Sequence, residues 1–288
     1  MERTRKYLPQ ILLIILFILA IWAVILVYQK SHHSDYLKVV FLDVGQGDAI
    51  YIEAPNGRQM LIDGGPDAKL LSALSEVMPF ADRSIDLVLA THGDFDHIGG
   101  LPLLFDNYKI KTIIQNGAIS TTDISSSLEE KIEKNKINKV TARRGLHIIL
   151  DQKKNIYFDI LYPDRDISSL ESNDGSIVGK LVYGDNSFML TGDATLYVEN
   201  LIEWNEKEET LQSDVLKLGH HGSRTSSSLL WLEEVNPSVA IISAGKNNKY
   251  DHPHKEILDR LSSLSIPYLS TAKVGNIIFK SDGVRLSY

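Results

Sequence analysis

The chain has 288 residues, 43% of them hydrophobic, enough to bury one large core or two small ones. It carries 30 basic and 37 acidic side chains, a formal net charge of −7, so it is no general electrostatic trap for polyanions. Cysteine is absent, which excludes disulfide partners and thiolate zinc sites.

Residues 7–29 carry no charge and are almost continuously apolar from Ile11 to Val27. Roughly 20 such residues span a bilayer as a helix, so one transmembrane helix is expected, with residues 1–30 as an uncleaved membrane anchor. A cleaved signal peptide has an apolar region of only about 7–15 residues and a small-x-small site, and none is evident here. A buried core helix would show a polar face, which this run lacks. Arg3, Arg5 and Lys6 precede the run and only Lys30 follows closely. The positive-inside rule then places the N-terminus in the cytoplasm and the rest outside, as a single-pass protein of the cell membrane. Without residues 1–30 the chain keeps 26 basic against 36 acidic side chains, so a polyanionic substrate must be engaged locally.

Residues 36–288 are expected to form one domain. Apolar runs at 37–42, 49–52 and 59–63 read as strands, the last two joined by a turn at Pro55-Asn56-Gly57. Helical spacing marks 70–78, and 85–90 reads as a buried strand. Further strands are expected at 110–114, 146–150, 156–161, 177–183 and 187–190, with an exposed helix at 122–135 and another helix from Ala194. The last third alternates strands at 214–218 and 239–243 with helices near 226 and at 255–263. Hairpins followed by alternating elements suggest a sheet sandwich with helices outside.

The strand at 85–90 feeds Thr91-His92-Gly93-Asp94-Phe95-Asp96-His97-Ile98-Gly99-Gly100. Two imidazoles and two carboxylates within six residues have no use in a packed core, where unpaired charge is costly; a divalent cation gives them one. His and Asp recur at other strand exits: Asp43 and Asp48, Asp63, Asp193, His220 and His221, and His252 and His254. Nitrogen and oxygen ligands suit zinc, and added carboxylates shift a site towards harder ions such as manganese. Plainer readings exist: a solvated acidic loop at 92–97, a helix cap at Asp193, and a turn closed by its own side chains at Asp43, Gln46 and Asp48. Ser223 to Ser228 could bind phosphate at a helix start or merely cap it.

His-x-Asp-x-Asp-His resembles the His-x-His-x-Asp-His motif of the metallo-β-lactamase superfamily, with Asp94 in place of the second histidine. Leu61-Ile62-Asp63-Gly64-Gly65, Thr191-Gly192-Asp193 and the late histidines follow the same order. Asp43–Asp48, Asp214–Ser223 and Asn248–His254 are similar to signatures of the metallo-β-lactamase domain of ComEC-type competence DNA-uptake proteins. The resemblance covers about 36–288 and implies an α+β fold, an αββα sandwich, with two divalent ions at one edge. Zinc is expected first and manganese as the alternative. By position, His92 and Asp94 would bind the first ion and Asp96 with His97 the second, bridged by Asp193. One of His220 and His221 would complete the first site, with His220 assigned as ligand, and His252, in preference to His254, the second. Asp96 and His221 are the expected catalytic residues, the imidazole protonating the leaving alkoxide or holding a phosphate oxygen. Asp63 and Asp48 would support the ligands from behind. Asn173 and Ser176 sit where other branches have a further histidine.

These features point to a membrane-anchored, extracytoplasmic binuclear metallohydrolase acting on a phosphodiester substrate: DNA, RNA or a wall polymer. Alternatives are teichoic-acid phosphoesters, a small carboxylic ester or lactone, and a non-catalytic accessory subunit of a DNA-uptake machine. ComEC-type proteins have a many-helix channel and this sequence one apolar segment, so transport by this polypeptide alone is not expected.

Overall fold

The Asn56-Gly57 turn shows how local chemistry sets the first sheet. Gly57 takes φ +82°, which a side chain would disfavour, and the Asn56 carboxamide accepts the Arg58 amide at 2.9 Å. That closes β2 (Ile50–Glu53) on β3 (Gln59–Ile62) with Tyr51 opposite Leu61. In this computed structural model, residues 2–31, 34–79 and 81–288 are described, and within the first helix side chains are described at positions 7 and 9–24.

β1 (Leu37–Phe41) and β2–β3 continue into β4 (Ser84–Ala90), β5 (Lys109–Gln115) and β6 (Asn138–Thr141). With β14 (Ile277–Ser281) and β15 (Leu286–Ser287) they form an eight-stranded sheet ordered β15-β14-β1-β2-β3-β4-β5-β6, parallel from β3 to β6. The second sheet has seven strands: β7 (His147–Asp151), β8 (Ile156–Tyr162), β9 (Val178–Tyr183), β10 (Asn186–Leu190), β11 (Val215–Lys217), β12 (Val239–Ile242) and β13 (Tyr268–Ser270). Its order is β13-β12-β11-β10-β9-β8-β7, parallel from β10 to β13.

The sheets face each other across an apolar interior that includes Ile52, Ile62, Leu89, Phe158 and Leu181. Phe279 of one sheet meets Phe188 of the other edge-on at 5.6 Å, a preferred ring geometry. Helices α2 (Lys69–Val77), α3 (Phe95–Ile98), α4 (Leu101–Asn107) and α5 (Asp123–Lys134) cover the first sheet through Leu74, Ile98, Leu104 and Leu128. Helices α6 (Leu196–Asn205), α7 (Glu208–Leu211), α8 (Leu229–Val235) and α9 (Lys255–Ser263) cover the second through Val198, Leu211, Trp231 and Ile257. The result is the expected αββα sandwich. Open parallel sheets place ligands beyond the carboxyl ends of their strands, where β3, β4, β10, β11 and β12 deliver their exit loops.

Residues Glu2–Ser31 form one helix, α1, and its apolar side chains from Ile11 to Val24 are exposed. The expected transmembrane span is nevertheless not supported, because no helix among the described residues is long and apolar enough to cross a membrane. Two smaller expectations also shift. α6 begins at Leu196 rather than Ala194, with Thr195 as its N-cap, so Asp193 is not a helix cap. β6 is not among the expected strands: it is a largely exposed edge strand whose sequence Asn-Lys-Val-Thr carries no apolar run.

Candidate metal centre

β4 ends at Ala90 and the chain enters Thr91–Ile98 over the turn that follows β3. Asp63, buried in that turn, accepts the Thr91 amide at 2.8 Å, the Thr91 hydroxyl at 2.7 Å and His97 Nδ1 at 2.7 Å. One carboxylate therefore fixes both ends of the histidine loop. Two glycines allow the close approach this needs. A side chain at Gly99 would meet Pro66 O at 2.2 Å, and one at Gly47 would meet Asp96 O at 2.0 Å.

Three buried imidazoles converge here. The His92 and His97 ring centroids are 4.1 Å apart, and those of His97 and His221 5.2 Å. Each ring has its Nδ1 engaged: His92 with Thr91 Oγ1 at 3.0 Å, His97 with Asp63 and His221 with Ser243 O at 2.9 Å. Carboxylate and carbonyl oxygens only accept, and the Thr91 hydroxyl already donates to Asp63, so every Nδ1 is the donor. In the neutral ring each Nε2 then presents a lone pair, and all three are buried without a hydrogen-bond partner, as is Asp193 Oδ1. Leaving such groups unmatched is costly unless something else meets them. Imidazoles held at Nδ1 and open at Nε2 are the arrangement metal-ligating histidines adopt. The residues present fit a divalent cation.

Asp193, at the exit of β10, lies between the rings. Its oxygens are 3.2 Å from His97 Nε2, 3.3 Å from His221 Nε2 and 3.8 Å from His220 Nε2. Asp96 Oδ2 also reaches His221 Nε2 at 3.3 Å, and Asp94 Oδ2 stands 3.6 Å from His92 Nε2. Burial opposes ionisation of Asp193, yet the His221 and His97 imidazoles hold its carboxyl well below the usual range. Burial likewise works against protonation of His97 and His221, but Asp193 with Asp63, and Asp193 with Asp48, raise those imidazoles well above their ordinary value. The neighbouring His92 imidazole holds Asp94 at about 2. So much carboxylate charge calls for positive charge at its centre, supplied either by protons or by a metal.

The ligating atoms of Asp48, His97, Asp193 and His221 all lie within 4.8 Å of one another and could hold an ion. Within that group Asp48 stands apart: it is 3.4 Å from Nδ1 of His221 and 4.0 Å from Nδ1 of His97. It thus sits behind the rings with Asp63, opposite the Nε2 atoms.

The three late histidines expected at the site lie in different surroundings. His221, expected as the catalytic acid, is buried beside Asp96 and Asp193, whereas His220, expected as a ligand, is half-buried near Asn173 and Thr225. His252, expected to complete the second site, lies against His220 at 5.5 Å between centroids, and the place beside Asp96 belongs to His221. Its Nδ1 is nonetheless buried without a partner, whereas His254 Nδ1 accepts the Arg224 amide at 3.0 Å. Burial and the neighbouring histidines lower His252 to about 4.

The turn carrying the histidine pair is strained. His220 and His221 take φ +46° and +55°, a conformation costing on the order of 1–3 kcal/mol per residue. Ser223 N donates to His220 O at 2.8 Å and Ser226 Oγ to Gly219 O at 2.6 Å, which hold the turn in place. Sequence reasoning missed Lys217, whose ammonium is fully buried against Asp48 at 2.6 Å. The signal was available: a lysine inside the apolar run Val215-Leu216-Lys217-Leu218, immediately before the histidines, needs a buried anion.

A cleft of about 660 Å³ opens from His92 and Asp94 towards Asn116, Ser120, Thr122 and Ser125. Its lining lysine, Lys139, is neutralised by Glu129 at 2.7 Å. The cleft therefore offers hydrogen bonds rather than a positive field.

Residues 42–120 match the family model of the metallo-beta-lactamase superfamily. The chain is 33% identical over 261 residues to ComE operon protein 3 of Bacillus subtilis (strain 168), covering 84% of this chain and 33% of that protein. It is 32% identical over 241 residues to Recombination protein 2 of Haemophilus influenzae, covering 82% of this chain and 28% of that one. The chain thus spans about a third of the length of these relatives. Among solved structures, the metallo-beta-lactamase fold protein YhfI from Bacillus subtilis superposes with a TM-score of 0.56 at 13% identity, over 85% of this chain and all of that one, a likeness of fold.

Proposed function

Because the chain carries a metallo-β-lactamase domain of the competence-protein kind, we propose that it is a two-metal hydrolase acting on phosphodiester bonds. One observation carries the reading: three buried imidazoles, each held at Nδ1, have unpartnered Nε2 atoms, those of His97 and His221 within 3.3 Å of Asp193 and that of His92 3.6 Å from Asp94. Asp96, His97, Asp193 and His221 would hold one ion, and His92, Asp94, Asp193 and His220 the other, as zinc or manganese. When bound, two divalent ions acidify water and offset the negative charge that builds on a phosphoryl group.

The protein's own residues do the rest. Asp63, Thr91 and Ser243 O set the tautomers and aim the rings. His252, lowered to about 4, is neutral at neutral pH and offers a hydrogen bond to a substrate oxygen rather than an ionic proton. Phosphodiester preference rests on the kinship with competence proteins. The neutral, hydroxyl-lined cleft favours a second reading within the same chemistry, a wall polymer such as a teichoic acid, whose polyol or sugar units would meet Ser120, Thr122 and Ser125. Attachment to the cell membrane through the exposed apolar side chains of α1, with the catalytic domain outside, is part of the proposal and rests on the uncharged run at 7–29.

Purified protein should contain close to two divalent ions and hydrolyse bis-p-nitrophenyl phosphate, and Asp193→Ala should abolish both. Full metal content and activity in that variant would remove the basis for the assignment. Labelled DNA and teichoic acid, tested side by side, separate the two substrates. A reporter fused to the C-terminus and active only in the cytoplasm would contradict the orientation.

A further inference from the structure

Lys217 closes β11 with its ammonium fully buried. The ammonium donates to Asp48 Oδ2 at 2.6 Å, Leu218 O at 2.9 Å and Gly192 O at 3.3 Å. Each acceptor belongs to a different part of the centre. Gly192 precedes Asp193, Leu218 precedes the strained His220-His221 turn, and Asp48 lies in the loop between β1 and β2. One cation therefore ties three segments that meet nowhere else in sequence. Three acceptors also complete an ammonium's capacity, so Lys217 has nothing left for a substrate.

Asp48 is held from both sides. Its amide donates to Asp96 O at 3.2 Å and its carbonyl accepts the Gly65 amide at 2.8 Å, joining it to the histidine loop and to the turn after β3. Oδ2 is engaged by Lys217, while Oδ1 has no hydrogen-bond partner and stands 3.4 Å from His221 Nδ1, beside the Ser243 carbonyl that accepts from the same nitrogen. Nε2 of that ring points the other way, towards Asp96 and Asp193.

We propose that Lys217 is a positioning residue: by holding the Asp48 carboxylate behind His221, it joins the Ser243 carbonyl in aiming His221 Nε2 at the ion shared with Asp96, His97 and Asp193. The inference rests on the two-metal reading above and adds a selectivity to it. Asp63 supports His97 and Thr91, so the His92–Asp94 end does not depend on Lys217. Without the ammonium, Asp48 would be a fifth carboxylate free to turn inward and compete for the ion it now serves from a distance.

The test uses the purified full chain and manganese or zinc alone as probe, with metal content after chelator competition and apo-protein melting temperature as readouts. The double variant Asp48→Asn/Lys217→Met removes both charges at nearly constant volume, so no buried charge is left unpaired. It should melt close to the wild type yet retain one tightly held ion, with the second weakened about tenfold or more, the usual cost of losing an outer partner of a ligand. Two ions held at wild-type affinity would show the pair to be structural and overturn the inference alone. Should the double variant fail to fold, Asp48→Asn/Lys217→Gln decides in its place, since it too leaves no buried charge unpaired and its new amide can still donate to the backbone acceptors: the same selective loss is expected, and undiminished binding of both ions overturns the proposal. A wild-type chain that takes up no divalent ion would overturn the two-metal reading and this inference together.

Discussion

At the scale of single residues, the centre works by giving each imidazole one engaged and one open nitrogen. Without metal, the carboxylates around His97 and His221 favour their protonated forms, raising both well above the ordinary value against the opposing effect of burial. A cation must displace those protons. Binding at neutral pH should therefore release protons, and affinity should rise with pH. Calorimetric titrations in buffers of different ionisation enthalpy would detect it; identical heats in all buffers would mean that the rings are already neutral. The sign for stability is opposite. Both groups are raised in the fold, so their contribution to the metal-free protein is complete below about pH 6.5, the unfolded value, and is lost as pH rises through the higher folded values. At this scale the sequence was most readable where ligands cluster, as at His92–His97. It was least readable where adjacent histidines had to be told apart, because only the left-handed turn at His220-His221 decides which ring turns inward.

At the scale of elements, Glu199 of α6 clamps the start of α8. Its buried carboxylate accepts the Ser227 amide at 2.5 Å and the Ser228 amide at 2.9 Å, in the segment that leads from the histidine turn. Burial raises it to about 7 against the pull of those two amides. Between the unfolded value near 4.5 and about 7, the folded state keeps a proton that the unfolded chain has lost, so this group makes stability fall as pH rises across that window. Glu199→Gln should flatten that slope in melting curves, and an unchanged slope would show that the carboxyl does not titrate there. Glu199→Ala leaves two buried amides without acceptors and should cost about 2–3 kcal/mol in denaturant unfolding. Most strands were legible because they are apolar runs between turn residues. β6 was not, since an edge strand with three of its four residues in water needs neither alternation nor apolar content.

At the scale of the molecule, the centre exists only because two sheets present their strand exits to the same point. Asp63, His92, Asp94, Asp96 and His97 come from the first sheet, and Asp193 and His221 from the second, with Lys217 bridging the seam to Asp48. The order of these motifs was readable along the chain, but their pairing in space was not, because it depends on how β10 and β11 lie beside each other and across from β4. Ions that bind the assembled sheets and not the unfolded chain must also stabilise them. At a concentration about 100 times the dissociation constant, the gain is about 2.7 kcal/mol, seen as a melting temperature that falls on chelation and returns on adding metal. Absence of any shift would disconnect the cluster from the fold's stability. The most direct measurement is a crystal of the protein grown with manganese or zinc and diffracted at the metal's absorption edge. Two anomalous peaks are predicted, within about 2.0–2.2 Å of the Nε2 atoms of His92, His97 and His221 and against Asp193. Peaks confined to the surface, or none, would contradict the metal centre itself.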